Sequence, residues 1–241
     1  MRRNIKELAK YSVNEPLFAS FLQKQGVYSQ LLYHYVKNNW LEAVSNGVYK
    51  RPGGKLDRLL IVRNLQIQLG LPIHICARSA LLMHGVNHFG RTTDKLQVAM
   101  QGSYRPTKWL RSLKEIDFIR LNIFTQKDIG LEKIDNVTVS GRELAFIELA
   151  ELVPKKVSYE EFYKTLELVP NLRSNLLQQL LENCTSNKAK KIFLATAEQL
   201  NYQWYAKLNI ARIKSGTGIL QLVKAGVYNP KYKIYLEQIN G

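Results

Sequence analysis

The stretch Ser29-Gln30-Leu31-Leu32-Tyr33-His34-Tyr35-Val36-Lys37, continued by Trp40-Leu41-Glu42-Ala43-Val44, Ser45-Asn46-Gly47 and Val48-Tyr49-Lys50-Arg51, decides how the first part of this chain folds. Leu31, Leu32, Tyr35, Val36 and Trp40 recur at helical spacing, which predicts a buried stripe on a helix over about 29–39, capped by Ser29. Ser29, Gln30, Tyr33, His34 and Lys37 fall on the opposite side. Hydroxyls, an amide, an imidazole and an ammonium are the groups that read base edges in a major groove. Asn46-Gly47 between two β-prone runs is a strong hairpin signal, with Pro52-Gly53-Gly54 beyond it.

Toward the N-terminus, Ile5, Leu8 and Ala9 place a first helix at about residues 4–10. Asn14-Glu15-Pro16 predicts the start of a second, with Leu17, Phe18, Phe21 and Leu22 as its inward stripe and Gly26 as its left-handed stop. Helix, short Gly-containing turn, helix and then hairpin is the layout of a winged helix-turn-helix, expected here over residues 1–54. The candidate DNA contacts are Tyr28, Ser29, Gln30, Tyr33, His34, Lys37 and Asn38 around the third helix and Asn46, Lys50 and Arg51 from the hairpin. Lys50 and Arg51 are read as a basic wing tip lying against phosphate.

The charge distribution agrees. The chain has 241 residues, 35 Lys and Arg against 19 Asp and Glu, and a formal charge of +16. Residues 1–55 carry nine basic against three acidic side chains (+6), residues 188–241 nine against two (+7), and the middle 17 against 14 (+3). Two concentrated positive ends point to a polyanion, nucleic acid first and an anionic membrane second, with solubility as the bland alternative. Lys188, Lys190, Lys191, Lys207, Arg212, Lys214 and Lys224 form a candidate second basic surface. Phosphate attraction reads no sequence, so charge does not choose between DNA and RNA.

Beyond a Pro/Gly-rich hinge at residues 51–55, residues 55–241 read as a larger mixed α/β domain with a helical latter half, making the chain α+β. Asp57–Leu69 is amphipathic, Ile73–Cys76 strand-like and Arg78–His84 helical, while Leu96–Met100 and Phe118–Phe124 alternate like strands. Helices follow from Arg142, with a capping box at Ser158-Tyr159-Glu160-Glu161, then Leu172–Leu181 and Ala189–Leu200. Tyr228–Leu236 closes the chain with strand-like alternation.

The run Leu31-Leu32-Tyr33-His34-Tyr35-Val36-Lys37, with Trp40-Leu41-Glu42, Gly47-Val48-Tyr49 and Pro52-Gly53, resembles the winged-helix N-terminal domain of the AbiEi family. The resemblance continues through Leu71-Pro72-Ile73-His74, Arg78-Ser79-Ala80-Leu81-Leu82-Met83-His84-Gly85 and Ser140-Gly141-Arg142-Glu143-Leu144-Ala145. Lys191-Ile192-Phe193-Leu194, Gly216-Thr217-Gly218 and Lys231-Tyr232-Lys233-Ile234 resemble its C-terminal domain. Asn39 and Ile219-Leu220 depart from the pattern, the latter where basic residues are often found. The resemblance implies an antitoxin and transcriptional repressor of a type IV toxin–antitoxin (abortive-infection) system. Such a protein binds inverted repeats in its own promoter and counters an AbiEii-like nucleotidyltransferase toxin without needing a stable complex with it.

Catalytic and metal chemistry is not signalled. His84 and His88 are four apart but lack the Glu a zinc protease needs, and His74 reads as a satisfied core residue. Gly216-Thr217-Gly218 is too short for a phosphate loop, and Glu143, Glu148 and Glu151 read as helix-surface charges. Cys76 and Cys184, far apart, fit a reducing cytosol and no disulfide framework. No apolar run reaches the length of a membrane span, and the start lacks the apolar region of a secretory signal. The expectation is a cytoplasmic non-enzyme without cofactor or metal; a nucleic-acid-acting enzyme or RNA-binding protein with a winged-helix targeting domain is the alternative.

Overall fold

The computed structural model describes residues 8–86, 95–126, 128–223 and 226–239. It is a mixed α+β structure with two hydrophobic cores. The smaller is formed by Leu8, Leu17, Leu22, Val27, Leu32, Tyr35 and Leu41; the larger draws on residues from Ile61 to Leu236 and takes in Phe18 and Val48 of the N-terminal strands.

In the first part, β1 (Leu17–Phe18) leads directly into α1 (Ala19–Lys24), a tight turn and α2 (Ser29–Lys37), followed by β2 (Glu42–Ser45) and β3 (Val48–Lys50). The expected helix start at Asn14-Glu15-Pro16 is a correction. Leu17 pairs with Tyr49 and Phe18 with Val48, so cross-strand pairing overrides the local capping signal and the helix begins only at Ala19. The sheet order is β1-β3-β2. Gly26, at φ +82°, ends α1 as expected. Its N–H reaches the Gln23 carbonyl at 2.9 Å and the Val27 N–H the Leu22 carbonyl at 2.9 Å, the paired bonds of a Schellman cap. Leu8 lies at the end of a helical turn and buries in the small core; residues 4–7 of the first expected helix lie outside the described residues.

Polar bonds dock this unit on α3 (Arg58–Ile67), whose N-cap Asp57 accepts the Leu59 and Leu60 N–H groups. Glu15, nearly buried, accepts from Arg63 Nη2 at 2.5 Å and Asn64 Nδ2 at 2.9 Å. Gln68 accepts the Phe18 N–H at 3.0 Å. The same helix grips the central sheet, because Gln66 donates to the Ile73 and Thr138 carbonyls and accepts the Thr138 N–H.

That sheet has the order β6-β5-β4-β8-β7, built from β4 (Ile73–Ile75), β5 (Leu96–Met100), β6 (Ile116–Arg120), β7 (Leu131–Ile134) and β8 (Val137–Ser140). β5 with β6 and β4 with β8 are parallel; the other neighbours are antiparallel. The second strand expected at Phe118–Phe124 is shifted to Ile116–Arg120 by its parallel register with β5. Helices α4 (Ala77–Met83), α5 (Lys108–Ser112), α6 (Arg142–Leu152), α7 (Tyr159–Glu167), α8 (Ser174–Asn183), α9 (Asn187–Gln199) and α10 (Gln203–Ala206) complete the main body. Ser158 caps α7 through the Glu161 N–H at 3.1 Å, as its sequence signature demands. The closing segment, read as one strand, is a hairpin of β10 (Val227–Asn229) and β11 (Ile234–Leu236), with β11 also parallel to β9 (Leu220–Gln221).

Helix α6 runs through the middle of this body and is buried from Glu143 to Ala150. Glu143 and Glu148 are therefore core residues at 0% and 1% exposure, not surface charges. Glu143 accepts from Arg173 through its backbone N–H (2.8 Å), Nε (3.1 Å) and Nη2 (2.7 Å). Burial pushes the Glu143 carboxyl up, but the Arg173 hydrogen bonds prevail and hold it below its ordinary 4.5. A depressed carboxylate contributes stability above its unfolded pKa that is lost as pH falls through the folded one. The urea midpoint is therefore expected to drop as pH is lowered below about 4.5. Arg173→Met should flatten that dependence and cost about 3 kcal/mol at neutral pH, because the buried carboxylate loses both guanidinium bonds and keeps only the backbone N–H of residue 173.

Candidate nucleic-acid interface

The N-terminal unit presents α2 with one face inward and one outward. Leu32 and Tyr35 are buried, while Leu31 and Val36 are partly so. On the other side Ser29, Gln30, Tyr33, His34, Lys37 and Asn38 are exposed, joined by Tyr28 just ahead of the helix. Tyr28 and Tyr33 are 68% and 66% exposed, large aromatic surfaces to leave in water. The Tyr33 and His34 rings meet edge-on at 5.9 Å, which steers both side chains outward together. Lys37 adds a cation in the last turn.

The helix begins one residue off expectation. Tyr28, not Ser29, is the N-cap, and it makes no side-chain cap bond. The first N–H groups of α2 are therefore left for an external acceptor, and the positive end of the helix favours an anion there. Lys24 and Gln25, exposed at the end of α1, border the same turn; nothing in the hydrophobic spacing singled them out. Asn38 is partly committed, because its Nδ2 donates to the His34 carbonyl at 2.8 Å. Trp40, expected to bury, remains 37% exposed: Asn39 at φ +56° turns the chain out of the helix before it and leaves the ring tilted over Tyr35.

The hairpin corrects the expectation about its basic tip. The tip is Asn46-Gly47, with Asn46 exposed and the Gly47 carbonyl accepting the Ala19 N–H at 2.9 Å. Lys50 and Arg51 lie at the base. Lys50 pairs with Glu42 at 2.6 Å and donates to the Gly53 carbonyl at 2.8 Å, whereas Arg51 donates to the Tyr11 carbonyl at 2.9 Å. A cation with acceptors on several sides holds the chain together and has little left for phosphate.

The candidate second basic surface disperses. Lys190 and Lys191, at 4% and 3% exposure, point inward and donate to carbonyls: Lys190 to Cys184 at 2.9 Å and to Lys214, Lys191 to Gly218. Burial pushes both ammonium groups below their ordinary pKa. From α9 they fix the 214–218 loop, a role that spacing in sequence does not distinguish from a solvated face. Lys188 pairs with Glu151 at 3.3 Å, and Arg212 with Glu182 at 3.0 Å. Lys207, Arg212 and Lys214 stay exposed, and Lys224 lies outside the described residues.

Elsewhere, no group of three metal-ligating side chains occurs among the described residues. His84 Nε2 donates to the Ser140 carbonyl at 2.9 Å; its expected neighbour His88 lies outside the described residues. Cys76 and Cys184 are buried free thiols, and burial pushes Cys184 up to about 11. No helix among the described residues is long and apolar enough to cross a membrane.

Fold and surface together define a two-core α+β protein whose N-terminal helices and hairpin offer a polar, cationic helix face. Its sequence places it further. The family described as "Transcriptional regulator, AbiEi antitoxin, Type IV TA system" matches residues 93–237, and the family described as its N-terminal domain matches residues 1–91. The chain belongs to the AbiEi family of antitoxins and transcriptional regulators of type IV toxin–antitoxin systems. No curated protein matches it. The fold is similar to the crystal structure of the RV2827C protein from Mycobacterium tuberculosis, with a TM-score of 0.64 and 14% identity over 97% of this chain and 89% of that one.

Proposed function

We propose that this chain is a sequence-specific DNA-binding repressor and antitoxin. Residues 1–54 act as a winged helix-turn-helix that enters the major groove with α2. The observation that carries this reading is the outward face of α2, where Tyr28, Gln30, Tyr33, His34 and Lys37 stand exposed above a buried seam of Leu32 and Tyr35. Gln30 suits adenine and Lys37 guanine or phosphate, while the uncapped start of α2 suits a phosphate. Asn46 at the hairpin tip is placed to follow the adjacent backbone.

Residues 55–241 carry the antitoxin part, acting in the cytoplasm against an AbiEii-like nucleotidyltransferase without a lasting complex. The family membership supports this reading. With Lys190 and Lys191 buried and Arg212 paired with Glu182, the exposed Lys207 and Lys214 are the cations of that candidate second surface left for an RNA or DNA partner. The protein works by binding rather than catalysis.

The test is titration of an inverted-repeat duplex from the chain's own promoter at several salt concentrations. A dimeric reader contacting six or more phosphates loses at least about a thousandfold in affinity between 50 and 200 mM salt. A scrambled duplex of equal length bound equally well would overturn the sequence-specific reading.

A further inference from the structure

Among the exposed side chains of α2, Tyr33 is the one that hydrogen bonding to a base edge does not account for. It stands 66% exposed, and its hydroxyl has no hydrogen-bond partner among the described residues. The His34 ring meets it edge-on at 5.9 Å and still leaves most of the phenol in water. A lone exposed ring on a protein surface needs no explanation, but the position of this one does. Ser29 and Gln30 lie four and three residues before it and Lys37 four after, so on a helix the ring is ringed by the polar side chains of the outward face. Tyr28 precedes the helix and Lys37 is its last residue; these two border the face, and Tyr33 holds its middle.

The middle of a helix laid in the major groove meets base edges, while its borders meet the phosphate rows. In an intact duplex the base faces are stacked on one another, so an aromatic ring finds only edges. Those edges offer donors and acceptors, together with one apolar group, the C5-methyl of thymine. The phenol hydroxyl both donates and accepts, so it tells one base from another poorly. The ring itself is selective, because only a methyl gains by leaving water against it.

We propose that Tyr33 is a specificity-determining residue whose ring packs against the C5-methyl group of a thymine in each half-site. Resting on the repressor reading above, this assignment names a base that the operator must place opposite the middle of α2. One methyl buried against a ring corresponds to about fourfold in affinity, and two copies on an inverted repeat to about tenfold or more. Tyr28, at the border of the face, has no part in it and serves as the comparison.

The experiment titrates the full chain with the inverted-repeat promoter duplex in which each pair of symmetry-related thymines is replaced in turn by 2′-deoxyuridine. That exchange removes the methyl and keeps the hydrogen-bonding groups of the base. At least one pair is expected to weaken binding about tenfold in the parent chain, in Tyr33→Phe and in Tyr28→Ala, and to have no effect in Tyr33→Ala. Both tyrosines are exposed, so the urea midpoints of these variants should match the parent's. A duplex series in which no methyl matters overturns the proposal. So does a methyl effect that persists in Tyr33→Ala, or one that vanishes in Tyr33→Phe, which would assign the contact to the hydroxyl. A parent chain that does not prefer the thymine duplex over a scrambled one fails at the repressor reading and takes this assignment with it; preference without methyl dependence overturns the assignment alone.

Discussion

Replacing Glu148 by alanine is expected to cost about 3–5 kcal/mol of folding stability, read as a fall in the urea midpoint with an unchanged slope. This carboxylate is 1% exposed and joins four elements: His74 on β4, Ser140 on β8, Ala77 at the head of α4, and its own α6. Removing it strands a buried imidazole, a buried hydroxyl and a backbone N–H, each of which costs about 1–3 kcal/mol when left unmade. Ala77 adds a second reason. It sits at φ +46°, a left-handed conformation that costs a residue with a Cβ about 1 kcal/mol or more, and the Glu148 bond is what holds its N–H. Glu148→Gln keeps an acceptor for Ser140 or Ala77 and should cost markedly less than the alanine variant. A loss under about 1 kcal/mol for alanine would show that water replaces the carboxylate and that the junction is not a tight one.

The contrast between Glu148 and the α2 face shows what a sequence of this kind discloses. Helix α2 is amphipathic, so its period alone separates Leu32 and Tyr35 from Gln30, Tyr33, His34 and Lys37. The same holds for Ser158 before α7 and for Gly26 after α1, where a local rule suffices because both partners lie within a few residues. Helix α6 is buried around its whole circumference, so no period marks a solvent side, and its glutamates look like surface charge until partners far along the chain are known. Arg173 lies 30 residues from Glu143, and His74 lies 74 from Glu148. Lys190 and Lys191 misread for the same reason: their acceptors are carbonyls of a loop reached only through the tertiary fold. The β7–β8 hairpin was illegible because its turn uses Asp135 and Asn136 at positive φ, without the Gly that usually announces one.

Simultaneous replacement of Gln30, His34 and Lys37 by alanine should lower affinity for the promoter duplex at least about a hundredfold. Each good base contact contributes about 1–3 kcal/mol, so losing all three costs at least about 3 kcal/mol, which reaches that figure. All three side chains are exposed and none belongs to the buried seam of Leu32 and Tyr35, so the unfolding midpoint should stay close to that of the parent chain. Lys50→Ala is the informative comparison. Had Lys50 been a phosphate contact at a wing tip, its loss would weaken specific and scrambled duplexes alike and make the salt dependence shallower by about one phosphate. Instead its ammonium is held by Glu42 at 2.6 Å and by the Gly53 carbonyl at 2.8 Å. The expected result is a stability loss of about 1 kcal/mol with the salt slope unchanged. Unaltered promoter binding in the triple variant would remove α2 as the reading element, whatever the fate of Lys50. A shallower salt slope in Lys50→Ala would instead mean that the hairpin base opens on DNA and exchanges Glu42 for phosphate.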